Sequence, residues 1–169
     1  ITISDGTRTR SSVVTAVTLG AGRAGDVEIS TSQLRLLNGG NISSGTFGQG
    51  NAGNVTVNAD AIEIAGVLPF IASSSVLGAS TFSSGNAGNI TVNTRTLSIR
   101  QNGGVVTSSF GSGSSGQLTV NASESISISD PETASNFGSR IDSAALVPTP
   151  FLRQLFRIRE PLTGNAGSV

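Results

Sequence analysis

The chain has no cysteine, histidine, methionine, tryptophan or tyrosine, and all ten of its basic residues are arginine, so lysine is missing too. Each absence removes chemistry. Without Cys or His there is no thiol nucleophile, no His-based triad and no zinc site of the usual kind. Without Lys there is no Schiff base and no phosphate-loop lysine. Phenylalanine, with seven copies in 169 residues, is the only aromatic residue. Ten acidic residues balance the ten arginines, and the formal net charge is zero. That argues against a nucleic-acid binder, which presents a net basic face. No apolar run approaches the roughly 18 residues that span a membrane. No signal-peptide pattern stands at Ile1, where the sequence is already in mid-pattern, and Val169 also falls in mid-pattern. A fragment of a longer repeat array is expected.

What remains is rich in Gly, Ser, Asn and Thr. Charged residues make up 12 %, about half the usual globular share. The polarity comes from small uncharged side chains interleaved with Val, Ile and Leu. A disordered chain shows the reverse, with high net charge and few β-branched residues.

Self-comparison uncovers a repeat. Gly22-Arg23-Ala24-Gly25-Asp26-Val27-Glu28-Ile29 matches Gly50-Asn51-Ala52-Gly53-Asn54-Val55-Thr56-Val57 and Gly85-Asn86-Ala87-Gly88-Asn89-Ile90-Thr91-Val92. Looser copies begin at Gly113 and Gly164. The second glycine of each copy steps by 28, 35, 28 and 51 residues. The chain therefore divides into 1–21 (partial), 22–49, 50–84, 85–112, 113–163 with an insertion at 145–163, and 164–169 (partial), all within one segment of about five turns.

Each repeat carries three short alternating stretches. Val55-Thr56-Val57 represents the first and Ile62-Glu63-Ile64 the second, with Leu34-Arg35-Leu36, Leu97-Ser98-Ile99 and Ile126-Ser127-Ile128 as its equivalents. The third comprises Ile42-Ser43-Ser44, Ile71-Ala72-Ser73, Val106-Thr107-Ser108 and Ile141-Asp142-Ser143. A period of two is that of a half-buried strand. Three short strands per turn of about 28 residues predict an all-β fold, a right-handed parallel β-helix (β-solenoid), the hand following from the crossover rule. Inward columns are expected at Val27, Val55, Ile90, Leu118 and Val169, and at Ile29, Val57, Val92 and Val120. A third is expected at Leu19, Phe47, Phe82 and Phe110, broken by Pro161. Asn58, Asn93 and Asn121 should form a ladder, and glycines at the corners should serve positive φ. Within the insertion, apolar residues at helical spacing predict a short amphipathic helix near 150–159, with Thr149 as cap and Pro150 at its first position.

The charged residues fall mostly in columns. Glu63 stacks on Arg35, and Asp60 on Arg95, which reads as cross-strand pairing. No pair of carboxylates suits glycoside cleavage, so no catalytic residue, metal site or cofactor is assigned. Asp130, Glu132 and Asp142 lie close enough in sequence to gather round calcium, but a solvated turn is favoured because the regular ligand spacing is missing. Arg153, Arg157 and Arg159 concentrate three of ten arginines in seven residues. They are the candidate patch for binding a partner or an anionic glycan, against a reading in which they simply face water.

The recurring Gly-Asn-Ala-Gly-Asn-Val/Ile-Thr-Val-Asn motif, followed by Leu-x-Leu-x-x-Gly-Gly and Ile-Ser-Ser, resembles the repeat region of filamentous-haemagglutinin-like exoproteins of the two-partner-secretion type, especially cyanobacterial ones. Residues 50–66 and 85–104 carry it best. The resemblance implies a right-handed parallel β-helix, export through an outer-membrane transporter, and work at the bacterial cell surface as adhesin, filament or matrix component. Partners would be further repeats of the same chain, end-to-end copies or surface glycans. A chain without Cys fits such a route, because it crosses an oxidising compartment with no disulfides to form. A polysaccharide-binding or polysaccharide-cleaving β-helix of the pectate-lyase-like type is the alternative.

Overall fold

Valine, isoleucine and leucine, spaced by two, have only one way to bury their side chains together: as strands with one face turned inward. A computed structural model describes residues 1–7, 10–69, 72–130, 138–147, 150–155 and 163–169. Among these residues the fold is all-β apart from one six-residue helix. The strands are β1 (Thr2–Ile3), β2 (Val13–Thr18), β3 (Val27–Leu37), β4 (Asn41–Thr46), β5 (Val55–Ala65), β6 (Val67–Leu68), β7 (Ser73–Ser74), β8 (Val76–Thr81), β9 (Ile90–Arg100), β10 (Gly104–Ser109), β11 (Leu118–Ser129) and β12 (Arg140–Ala145), followed by α1 (Pro150–Leu155).

Two five-stranded sheets run β1-β3-β5-β9-β11 and β12-β10-β8-β4-β2. Every ladder in both is parallel. Apart from the small antiparallel pair β6–β7, successive strands fall alternately on one large sheet and then the other.

The first two columns form as expected at most positions. Val27, Val55, Ile90 and Leu118 lie side by side, and Ile29, Val57, Val92 and Val120 do likewise. Val169 keeps its place in the first column, since the Leu118 N–H donates to the Ser168 carbonyl (2.8 Å) as the Ile90 N–H does to that of Gln117, though its side chain is 72 % exposed and it belongs to no strand. Side chains from both sheets, including Leu34, Ile64, Leu97 and Ile99 from the first and Ile42, Leu77 and Val105 from the second, share one apolar cluster. Each such side chain, fully withdrawn from water, contributes about 1.5–3 kcal/mol.

Four expectations need correction. The first and second stretches are not separate strands but one strand of eleven residues in β5 and β9. In β5 the inward positions run Val55, Val57, Ala59 and then Ile62, Ile64, so the alternation slips by one residue at exposed Asp60. That slip bends the strand without ending it. The third stretch of the second repeat is not Ile71-Ala72-Ser73, since Leu77-Gly78-Ala79 of β8 pairs with Ile42-Ser43-Ser44; Ile71 itself lies outside the described residues. In the next repeat Val105, not Val106, is the partner of Leu77 and of Ile141. The phenylalanine column exists but is half-buried, not internal, and Leu19 at its head is 78 % exposed. Phe47, Phe82 and Phe110 stack with ring centroids 4.7 and 4.8 Å apart. Leu146 follows Phe110, its N–H donating to the Ser109 carbonyl as that of Phe110 does to Thr81; Pro161 lies outside the described residues.

Extra length is spread more widely than a single insertion at 145–163. In the second repeat seven residues make room for the β6–β7 pair, between β5 and β8. In the longest repeat, partners are 28 residues apart at Val92–Val120, 29 at Ile99–Ile128 after a bulge between Ala122 and Ser125, and 36 at Val105–Ile141. The segment before β12 thus takes up length as well as the segment after it. Helix α1 covers 150–155 of the expected 150–159, while Thr149 and residues 156–159 lie outside the described residues.

Candidate functional site

The glycine–asparagine motif connects each strand of the second sheet to the next strand of the first, and here the backbones of successive repeats lie directly on one another. A methyl group on Gly53 would run into the Gly25 carbonyl, on Gly88 into that of Gly53, and on Gly116 into that of Gly88. The first glycines, Gly50, Gly85 and Gly113, are equally crowded by Gly22, Gly50 and Gly85. None of these has positive φ, so the expectation of left-handed corners fails here. Close backbone approach is the reason for glycine. Positive φ occurs instead where the first sheet hands over to the second, at Asn38, Gly39, Gly66, Gln101 and Asn102.

Asparagine completes the stack. The Asn86 N–H donates to Asn51 Oδ1 (2.9 Å), and the Ala52 N–H donates to the Asn86 carbonyl (2.8 Å). The pattern repeats from Ser114 N–H to Asn86 Oδ1 (2.9 Å), Asn89 N–H to Asn54 Oδ1 (3.0 Å), and Gln117 N–H to Asn89 Oδ1 (2.8 Å). Asp26 serves the same purpose for the Asn54 N–H (2.6 Å). Each repeat therefore accepts through a side chain and donates through the backbone to its neighbour. From the inner side a hydroxyl bridges two glycines. Ser44 Oγ accepts from the Gly53 N–H (2.8 Å) and donates to the Gly25 carbonyl (3.2 Å). Thr107 links Gly116 to Gly88, and Ser143 links Gly167 to Gly116, in the same way. Ala79 occupies that column between Ser44 and Thr107 and has no hydroxyl to offer.

The expected asparagine ladder forms, with Asn93 donating to Asn58 and Asn121 to Asn93, both at 2.8 Å. Arg35 and Glu63 pair at 2.8 Å, and Arg100 reaches the other Glu63 oxygen. Arg95 bonds Glu124 at the bulge (2.7 Å), not Asp60 in its own column. That bond, more than the Coulombic attraction it accompanies, raises the Arg95 pKa. Arg23 holds Asp26 at 2.5 Å, and this bond followed by the Asn54 N–H lowers the Asp26 pKa. Arg140 pairs with Asp142 (3.0 Å).

Of the acids weighed as calcium ligands, Asp130 is occupied by donors: its oxygens accept from the Asn102 N–H (2.9 Å), the Ser139 hydroxyl (2.6 Å) and the Ser139 N–H. Desolvation pushes its pKa up, but the Ser139 and Asn102 bonds outweigh that and leave it lowered. Asp142 belongs to its arginine, and Glu132 lies outside the described residues. Among the described residues no three acidic side chains gather as a metal site would need. Arg153 is exposed on α1. Arg157 and Arg159, the rest of the expected patch, lie outside the described residues.

An open groove of about 340 Å³ follows the motif side, lined by Arg23, Asn51, Asn54, Asn86, Asn89 and Gln117 among others. The sequence reading passed over these asparagines as corner residues. The signal was present, since Asn recurs at both places after the motif glycines in consecutive repeats. Comparison with protein-family models, with curated proteins and with solved structures returned no match.

Proposed function

We propose that the chain winds as a right-handed parallel β-helix of about five turns, a stiff segment of a secreted bacterial surface protein of the filamentous-haemagglutinin-like, two-partner-secretion type. Its work is mechanical and adhesive, in attachment, filament or matrix. The observation that carries the reading is the alternation of strands between two all-parallel large sheets, each strand beside its equivalent from the neighbouring repeat. A chain that returns to the same sheet every repeat, always in parallel, needs a crossover each time, and such crossovers are right-handed. Stacked repeats of this kind bond only to their neighbours and give a rod whose length follows repeat number.

The placement of charge supports a rod over a lyase. Glu63, Asp26, Glu124 and Asp142 each face an arginine, whereas glycoside cleavage needs two carboxylates across a cleft. No catalytic step is assigned. Export would pass through an outer-membrane transporter, with further repeats or copies of the chain as partners. The test is the mass and cell fraction of the native polypeptide. A surface-exposed chain of many tens of kilodaltons is expected; a soluble cytoplasmic species of 16.9 kDa overturns the proposal.

A further inference from the structure

We infer that Ala79, Gly53 and Gly88 enclose a binding site for one buried water molecule, which serves the middle of the glycine stack as a serine or threonine hydroxyl serves the repeats on either side. The site is independent of the adhesive reading above.

A buried backbone N–H almost always has a partner. At the motif bend, the second glycine of a repeat obtains one from the second sheet. The Gly53 N–H donates to Ser44 Oγ (2.8 Å), the Gly116 N–H to Thr107 Oγ1 (2.8 Å) and the Gly167 N–H to Ser143 Oγ (2.9 Å). The same three hydroxyls donate onward to the carbonyls of Gly25, Gly88 and Gly116. Gly88 is buried too, but the residue in its column of the second sheet is Ala79, between Ser44 and Thr107. Among the described residues the Gly88 N–H meets no acceptor and the Gly53 carbonyl no donor.

The groups around that place suit water. Ser44 Oγ also reaches the Ala16 carbonyl (3.3 Å), and the equivalent carbonyl beside Ala79 is that of Ser44. One N–H and two carbonyls therefore face the same point, and a buried water typically makes about three hydrogen bonds. Room is set by the neighbours. Strands β4, β8 and β10 keep their register through Ala79, and the glycine stack is held at backbone contact, so the interval between the sheet and the stack does not close around an alanine. On the next strand the same interval holds both the oxygen and the methyl of Thr107. Alanine leaves out both, and one probe-sized space is all that a water needs. Ala79 is 0 % exposed, so the bound water leaves only when neighbouring repeats part. With it in place, Ser44, the water, Thr107 and Ser143 make an unbroken row of oxygens along the stack.

The test is a high-resolution crystal structure of the full chain, with thermal melts of Ala79→Thr and Ala79→Val beside it. Expected in the crystal is a solvent peak within hydrogen-bond distance, about 2.7–3.2 Å, of both Gly88 N and the Gly53 oxygen. The two variants are nearly isosteric, and Thr107 shows that their shape fits the column. Threonine replaces the water with its own oxygen, whereas valine expels the water and leaves the N–H bare. The threonine variant should therefore melt above the valine variant by roughly 2–4 °C, the shift one hydrogen bond brings in a domain of this size. A crystal structure with no solvent at that point, or with the Gly88 N–H bonded to a protein atom, overturns the inference. So does a valine variant that melts as high as the threonine one, since the Gly88 N–H then has no need of an acceptor.

Discussion

Two bends in each repeat use glycine for different reasons. Where the second sheet returns to the first, Gly53, Gly88 and Gly116 have ordinary backbone angles and are crowded by the carbonyl of the repeat before. Where the first sheet passes to the second, Gly39 and Gly66 have φ of 87° and 85°, and Asn38, Gln101 and Asn102 share the left-handed region at 49°, 52° and 64°. The first bend is a stack, so its sequence repeats. The second adds a left-handed turn to stacking of the same kind, with Gly40 against the Ile3 carbonyl and Gly103 against that of Ile64, and its length varies, admitting the β6–β7 pair and the segment before β12. Glycine with ordinary backbone angles reports contact between repeats, at Gly40 and Gly103 as well as in the motif, while glycine at positive φ reports a turn.

The largest test of that contrast is Gly88→Ala against Gly66→Ala. The first forces apart two backbones with nothing flexible to yield and should cost roughly 3 kcal/mol or more. The second incurs left-handed strain of about 1–2 kcal/mol, its nearest neighbour being the Asn38 side chain. Urea melts compare them, and equal losses would erase the distinction. Next, Thr107→Val leaves the Gly116 N–H without its acceptor and should cost about 1–3 kcal/mol. The reverse change, Ala79→Ser, supplies the hydroxyl its column lacks and should gain about 1 kcal/mol; a loss there would mean that the inner face is too tight for an oxygen. Smaller again, Gln101→Gly relieves a left-handed residue at the turn-like bend and should raise stability by about 0.5 kcal/mol once the looser unfolded chain is allowed for. A neutral or negative result would mean that the left-handed angle at Gln101 carries no strain.

The smallest effect is one of pH. The folded-state pKa of Asp130 is lowered, so its contribution is present above the ordinary aspartate value, about 3.9, and is lost as pH falls through the lowered one. Melting temperature should be flat from neutral pH down to about pH 5 and then decline. Asp130→Asn should flatten part of that decline, whereas an unchanged acid limb would remove Asp130 from the account.

The columns of the first sheet were legible because Val, Ile and Leu alternate there with polar residues over two full stretches. Those of the second were harder. The segment 104–109 reads Gly-Val-Val-Thr-Ser-Ser, and two adjacent valines leave the inward one undetermined by one residue; packing chose Val105. Val13–Thr18 was not singled out, because its Val-Val-Thr-Ala-Val-Thr has little alternation. Ile71 drew attention as the apolar start of a triplet, but the strand begins at Val76, after the extra residues have been absorbed. The asparagine acceptors and the bridging hydroxyls left only a compositional trace, since nothing in one repeat states which atom of the next it will face.

The stack of Phe47, Phe82 and Phe110 has an optical consequence. With no tryptophan or tyrosine in the chain, absorption above the peptide bands comes from phenylalanine alone, and these three rings are held stacked and nearly parallel, 4.7 and 4.8 Å apart. Each ring belongs to a different repeat, so the sharp vibronic lines of near-ultraviolet circular dichroism are a built-in gauge of whether those three repeats remain in step.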